Sequence, residues 1–358
     1  MNRIIFGGGF DPVHLGHLNM AINAQKMFPG EVIFVPAKVA VWKESSVNED
    51  HKLAMLKLAI KDYPDFKVDT FELDQQEQPR SYLTVAYFKK KYPHDKLYFL
   101  IGQDQVNAFH EWAHPEEIAA KTQIIYFKRP KYEINQANVD KYHMIAVNGP
   151  EIEVSSSDVR ELKAAFMPED VLSYIEDNDL YYVTKIKSMI SEKRFNHSKL
   201  VAHLAYKLAK MHQLDYSKAY IAGIIHDIAK YYDPEEALAM MKQYYPDYLD
   251  IGAYAYHQFL GEVVAKEKFN IIDIDILNAI KYHTTGHGEM SQLEKIIYAA
   301  DKIEPSRPYD SSDLIQAMEE DINSGFLTVL ERNMEFLKAR NKNIDNRLTE
   351  ECVKYYLG

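Results

Sequence analysis

Hydrophobic and polar positions follow two different rhythms along this chain. Over residues 1–185, short runs of β-branched and aromatic residues alternate with stretches of helical period. These predict strands at 3–6, 31–35, 66–68, 97–101, 123–127 and 144–147, with helices at 17–27, 49–61, 82–91, 115–120 and 157–165. Pro168 then stands at the favoured first position of a further helix, 169–177. Strand, crossover and strand in this order imply a doubly wound, parallel α/β domain, whose ligands sit at the carboxyl ends of the strands. From residue 186 to 358 only the helical period remains, with Leu200, Val201, Leu204, Ala205 and Leu208 on one face. The expected organisation is therefore an α/β domain at 1–185 and an all-α domain at 186–358, joined without a Pro/Gly-rich linker.

Composition narrows the partners. The chain is 47% hydrophobic and 27% charged, ordinary for a globular protein, and its 358 residues suit two domains with separate cores. A formal net charge of −11 argues against a nucleic-acid-binding surface. The basic run Lys89-Lys90-Lys91 is most simply a solvated helix end. One cysteine, Cys352, excludes an internal disulfide and fits a reducing compartment. The first apolar run is too short for a secretory signal, and no apolar stretch approaches the ~20 residues that span a bilayer. The expectation is a soluble, cytoplasmic protein without membrane partners; homo-oligomerisation is left open.

The first candidate chemistry lies directly after the first strand, in Gly7-Gly8-Gly9-Phe10-Asp11-Pro12-Val13-His14-Leu15-Gly16-His17. Three glycines let backbone approach a ligand, and His14 and His17 stand about one turn apart at the start of a helix. Free N–H groups at a helix N-terminus beside two imidazoles suit a polyphosphate. A second phosphate candidate is Ser155-Ser156-Ser157-Asp158-Val159-Arg160, where serines open a helix and Arg160 adds a fork of donors.

Together these segments resemble the nicotinate-nucleotide adenylyltransferases over residues 1–183, within the wider Rossmann-like nucleotidyltransferases. Ile101-Gly102-Gln103-Asp104 with Trp112, and Ser81-Tyr82-Leu83-Thr84, extend the likeness. It implies attack by a mononucleotide phosphate on the α-phosphate of ATP, releasing pyrophosphate without a covalent enzyme intermediate. His14, His17 and Arg160 would hold the triphosphate and its transition state, and Mg²⁺ would accompany ATP. Gly7, Gly8, Gly9, Phe10, Lys43, Thr84, Gly102, Asp104, Trp112, Ser156 and Ser157 are the implied nucleotide-binding positions. Two segments depart from the family pattern, Pro36-Ala37-Lys38-Val39-Ala40-Val41-Trp42-Lys43 and Gln78-Pro79-Arg80-Ser81-Tyr82-Leu83-Thr84. Both touch the pyridine-nucleotide side, so nicotinate over nicotinamide mononucleotide is the part of the expectation they bear on.

In the helical half, His197, His226-Asp227, His257, His283 and Asp301 form a set of potential metal ligands. Imidazoles with carboxylates and no thiolate suit iron, manganese or zinc at a reactive centre. Four histidines and two aspartates can hold two metals with one carboxylate bridging, an arrangement that activates water and clamps a phosphate oxygen. His226-Asp227 lies within the apolar run 222–229, where such a pair is costly unless ligated or paired. His203, His212 and His287 are instead expected to be surface or satisfied core residues.

The spacing resembles the HD-domain phosphohydrolases over 187–358. Arg194-Phe195-Asn196-His197-Ser198, Ala222 through Lys230, His283-Thr284-Thr285-Gly286 and Asp301-Lys302-Ile303-Glu304-Pro305-Ser306-Arg307 are similar to the symmetrical diadenosine tetraphosphate hydrolases. That resemblance implies cleavage into two ADP at a two-metal centre of iron, with manganese the alternative. Asp227 would be catalytic as well as ligating, and Lys230, Thr284, Thr285 and Arg307 would meet the phosphates. His287 stands where the family pattern has an arginine. Competing readings make this half a hydrolase of a guanosine alarmone or cyclic dinucleotide, or a sensor that hydrolyses nothing. A competing reading of the first half has it adenylylating phosphopantetheine or another phosphate.

Overall fold

The computed structural model describes residues 1–38, 47–128, 133–340 and 346–358. The chain forms two compact units: Met1–Arg160 with Phe166–Asn178, and Glu161–Ala165 with Asp179–Gly358. The expected division at 185/186 falls inside the helix Tyr182–Lys187, whereas the compact units divide after Asn178.

The first unit is built on six strands, β1 (Asn2–Gly8), β2 (Glu31–Pro36), β3 (Phe66–Val68), β4 (Lys96–Gly102), β5 (Gln123–Phe127) and β6 (Ile145–Val147). All are parallel, in the order β3-β2-β1-β4-β5-β6. Near-continuous apolar runs make these strands because both faces of the sheet are covered; Ile4, Ile5, Val32, Phe34 and Leu100 are fully buried. The chain winds away from the sheet centre in both directions, so the reversal lies between β1 and β4. A crevice at their carboxyl ends is the place this topology offers a ligand.

Sequence periodicity located all six strands within two residues. It did not separate the short helices Gln103–Ala108 and Gln136–Lys141, which are one to two turns long. The helix expected at 157–165 is only Ser156–Arg160. At this length no amphipathic period is established, and the serine start is the only signal.

The second unit is built of helices and their connections, with no strand among its described residues. Its core is a bundle of Glu192–Met211, Tyr216–Ile225, Tyr256–Phe269, Ile274–Lys281 and Gln292–Ile303, packed through Val201, Leu208, Ala222, Phe259 and Ile296. No described helix is long and apolar enough to cross a membrane. Helix Tyr216–Ile225 approaches Glu192–Met211 so closely at Gly223 that an added Cβ would lie 2.6 Å from the Ala202 Cα. Backbone cannot swing aside as a side-chain tip can. Gly223→Ala is therefore expected to destabilise this unit by about 1–2 kcal/mol, overpacking outweighing alanine's better helix propensity. Urea denaturation of the variant should show an earlier midpoint.

Candidate active sites

At the end of β1 the chain turns through Gly9, Phe10 and the Asp11–Pro12 peptide into the helix Leu15–Met27. Gly7 and Gly9 face open space where a Cβ would project, as a close ligand approach requires. Gly8 has a different reason, because its Cβ would press on the buried Phe10 ring at 3.0 Å. His14 is the N-cap residue rather than a helix member, and His17 sits one turn in. Their rings stack with centroids 3.7 Å apart. Gly16 makes this possible, since a Cβ there would stand 3.0 Å from the His14 ring. The His14 backbone N–H donates to His17 Nδ1 at 3.3 Å, which leaves the proton of a neutral His17 on Nε2. His17 is half-buried.

The serine-rich segment is locked onto the same turn. Ser156 Oγ donates to the Pro12 carbonyl at 2.9 Å, and Arg160 Nη1 to the Asp11 carbonyl at 2.6 Å. Arg160 Nη2 also donates to Ser157 Oγ at 2.9 Å. His14, His17, Ser156, Ser157 and Arg160 therefore converge, although they are about 140 residues apart in sequence.

Gly102 ends β4 two residues beyond Leu100, the partner of Phe6 on β1, so it lies beside the glycine turn. A Cβ on Gly102 would press on the exposed Asp104 carboxylate. Trp112 packs against Phe109 and Phe99, with centroids at 5.1 and 6.2 Å, and is half-buried. Thr84 is buried, and its hydroxyl donates to Glu72 at 2.6 Å, so it is occupied by a protein partner. Glu72, whose carboxyl is pushed up by burial and also accepts from Gln78, carried no signal in the sequence. Lys43 lies outside the described residues.

In the helical unit the six candidate ligands meet. His197 comes from Glu192–Met211, His257 from the start of Tyr256–Phe269 and Asp301 from Gln292–Ile303. His226 and Asp227 lie just past the end of Tyr216–Ile225 rather than within a helix, and His283 follows Ile274–Lys281. The reason is visible in the hydrogen bonds. Nδ1 of His226, His257 and His283 donates to the carbonyl three residues earlier, Gly223, Tyr254 and Ile280, at 2.7, 2.9 and 2.7 Å. Each imidazole thus satisfies a carbonyl and turns its Nε2 inward. His197 is set the same way by a side chain, its Nδ1 lying 3.1 Å from Glu304.

Asp227 divides the cluster. Its Oδ2 faces His226 and His197 at 3.5 and 3.9 Å, while Oδ1 faces His257 and His283 at 3.2 and 3.5 Å. Asp301 lies 3.1 Å from His197 and 3.6 Å from His226. Two ligand groups result, His197-His226-Asp227 and Asp227-His257-His283, with donor atoms in each within 4.8 Å of one another. His226 Nε2 and Asp227 Oδ1 are buried without a hydrogen-bond partner, as atoms awaiting a metal would be. The donor set fits a pair of divalent metals sharing one carboxylate.

Lys230 Nζ stands 2.9 Å from His257 Nε2, and Thr284 Oγ1 3.1 Å from the same nitrogen. Arg307 is drawn onto Asp301 at 2.9 Å. Thr285 instead turns away, its hydroxyl accepting from Gln258 at 3.0 Å. Arg194 and Glu304 belonged to recognisable segments but had no assigned task; Arg194 donates to Asp227 Oδ2 at 2.6 Å. Among the histidines expected to be structural, His287 pairs with Glu294 at 2.9 Å, His212 lies 2.8 Å from the Met318 carbonyl and His203 packs edge-on to Tyr220.

Residues 5–162 match the cytidylyltransferase-like family model, and residues 194–306 match the HD domain. A probable nicotinate-nucleotide adenylyltransferase/Ap4A hydrolase of Mycoplasma genitalium is 34% identical over 318 residues, covering 85% of this chain and 87% of the relative. The chain belongs to this family of fused enzymes. Each half also has separate relatives. The nicotinate-nucleotide adenylyltransferase of Bacillus subtilis is 35% identical over 49% of this chain and 96% of its own length. The symmetrical bis(5'-nucleosyl)-tetraphosphatase of Staphylococcus aureus is 37% identical over 48% of this chain and 90% of its own length.

Charge in the family's metal centre follows from its burial. Burial opposes a charged imidazole at His226, but Asp227 and Asp301 outweigh it and push the group up to about 9. Burial pushes His257 down and His283 down to about 3, keeping both in the neutral, ligating form. Against their own burial, Asp227 and Asp301 are held well below the usual carboxylate range by the surrounding imidazoles and Lys302. Without metal His226 is protonated at neutral pH, so a metal must displace that proton. Apparent metal affinity should rise by up to about tenfold per pH unit from pH 7 toward 9 and then level off. Chelator-competition titrations at several pH values check this.

Proposed function

We infer that the chain joins two enzymes of nucleotide metabolism. The first transfers adenylate from ATP to nicotinate mononucleotide, giving deamido-NAD and pyrophosphate. The second hydrolyses diadenosine tetraphosphate to two ADP. The observation that carries this reading is a relative spanning both halves at 34% identity over 85% of the chain.

In the first reaction a phosphate oxygen of the mononucleotide attacks the α-phosphorus of ATP, and the bond to the bridging oxygen of the β-phosphate breaks. No proton has to be removed from the nucleophile. Catalysis is positioning together with stabilisation of charge on the α-phosphate. His17 Nε2–H, the helix N-terminus behind it and the Arg160 guanidinium supply that stabilisation, and Mg²⁺ arrives with ATP. Nicotinate over nicotinamide remains the expected preference, the extra carboxylate being met by backbone N–H groups near Thr84 or by a nearby cation.

In the second reaction, His197, His226, His257, His283, Asp227 and Asp301 would hold two divalent ions, iron in our reading with manganese the alternative. When bound, such a pair supplies Lewis acidity toward a phosphate oxygen and makes water acidic enough to attack at neutral pH. Asp227 keeps the two ligand groups in register, while Lys230, Thr284 and Arg307 stand where substrate phosphates would arrive. The single buried cysteine supports a reducing, cytoplasmic setting.

Product analysis decides each half separately. The purified protein is given ATP with nicotinate mononucleotide, and separately diadenosine tetraphosphate with iron or manganese. Deamido-NAD with pyrophosphate, and ADP alone, are the expected products. His17→Ala should lower adenylyl transfer by ~10²–10³ with hydrolysis intact, as loss of one placed donor at a developing charge does. Asp227→Ala should abolish ADP formation and strip metal while adenylyl transfer survives, which metal analysis and chromatography of the same sample will show.

A further inference from the structure

One helix supports two of the imidazoles around Asp227. His257 is the second residue of Tyr256–Phe269, and the next residue, Gln258, is fully buried with its carboxamide on the segment that carries His283. Gln258 Oε1 accepts from the backbone N–H of Thr284 at 3.1 Å and of Thr285 at 3.2 Å. Its Nε2 donates to Thr285 Oγ1 at 3.0 Å. A buried amide that meets two main-chain donors fixes the backbone itself, which a contact between side-chain tips does not.

The same helix grips this segment again one turn on. A Cβ on Gly261 would stand 3.0 Å from Ile280, whose carbonyl accepts from His283 Nδ1. Glu262, also buried, pairs with Lys281 at 3.5 Å. His257 Nε2 and His283 Nε2 lie 3.2 Å apart, and Thr284 Oγ1 is 3.1 Å from the first of them. The His197-His226-Asp227 group has other supports, the Glu304 carboxylate for His197 and the Gly223 carbonyl for His226.

We propose that Gln258 is a positioning residue for the Asp227-His257-His283 group alone. Its carboxamide sets His283 and Thr284 against His257, and so tunes the affinity for one metal ion and not for the other. That role rests on the two-metal reading of the helical unit.

The full-length chain is compared as Gln258→Met, which keeps apolar bulk without the hydrogen bonds, and as Gln258→Glu, which keeps an acceptor for the two N–H groups. Mn²⁺ binding is followed by chelator competition, and the ions per chain are counted. The parent should take up two. Gln258→Met should hold one at parental affinity and bind the other about tenfold more weakly, as loss of a group that orients a metal ligand does. Gln258→Glu should recover most of that loss. Adding Gln258→Met to His283→Ala should weaken the remaining ion no further, since both changes act on the same one. Both ions weakened together, as a merely structural role would give, or both within twofold of the parent, would overturn the proposal. Should Gln258→Met not fold, Thr285→Val removes the hydroxyl that holds the amide, and the same two outcomes apply. Should the parent bind fewer than two ions, the two-metal reading fails by itself. Amide exchange at Thr284 and Thr285 in the metal-free chain then still decides whether Gln258 holds this segment, quickening in Gln258→Met if it does and unchanged if it does not.

Discussion

Asp227 is a carboxylate with almost no access to solvent, and the helical unit is arranged to make that tolerable. Its side chain is 3% exposed, and an unpaired charge so placed would cost several kcal/mol. Imidazoles of His226, His257 and His283 lie within 3.5 Å of one or other of its oxygens, and Arg194 donates to it directly. These partners come from four separate segments, so the carboxylate can be satisfied only when the bundle has closed. The close approach at Gly223 belongs to the same requirement. It seats the helix whose last carbonyls include the acceptor that sets the His226 ring. Charge, helix packing and ligand orientation are thus one constraint.

The adenylyltransferase half is arranged by other means. The chain as a whole is acidic, with a formal net charge of −11, so positive potential must be concentrated where it is used. The end of β1 brings together a helix N-terminus, two stacked imidazoles and one guanidinium tied to the turn by the Asp11 carbonyl. None of these has to leave its place for a reaction in which charge builds on phosphorus. The HD half concentrates charge differently, through a donor set suited to divalent cations, because hydrolysis needs an activated water where adenylyl transfer brings its own nucleophile.

Much of this arrangement is legible in the residues. The parallel sheet follows from apolar runs too continuous for a half-exposed sheet, and the helical half from its loss of period-two patterning. The short helices Gln103–Ala108 and Gln136–Lys141 were not, since one or two turns carry no measurable period. His14 and His17 could be paired from spacing alone, whereas Glu304 could not be paired with His197 across 107 residues. Thr84 shows the opposite limit. Its place in a recognisable segment suggested a ligand, but its hydroxyl is held by Glu72, a partner 12 residues earlier without any signature.

The sequence by itself determined which side chains of distinctive chemistry are present and the local geometry around each. Glycines before a helix, a histidine pair one turn apart and His-Asp in an apolar run are short-range features, fixed by backbone stereochemistry over a few residues. Only the tertiary structure decided which of them share a site. It drew Arg160 to the Asp11 turn and divided four imidazoles between the two oxygens of Asp227. It also set the Gln258 amide on the backbone of Thr284 and Thr285. Those decisions depend on helix packing and on the cost of burying charge, which are summed over the whole core and are written in no single segment.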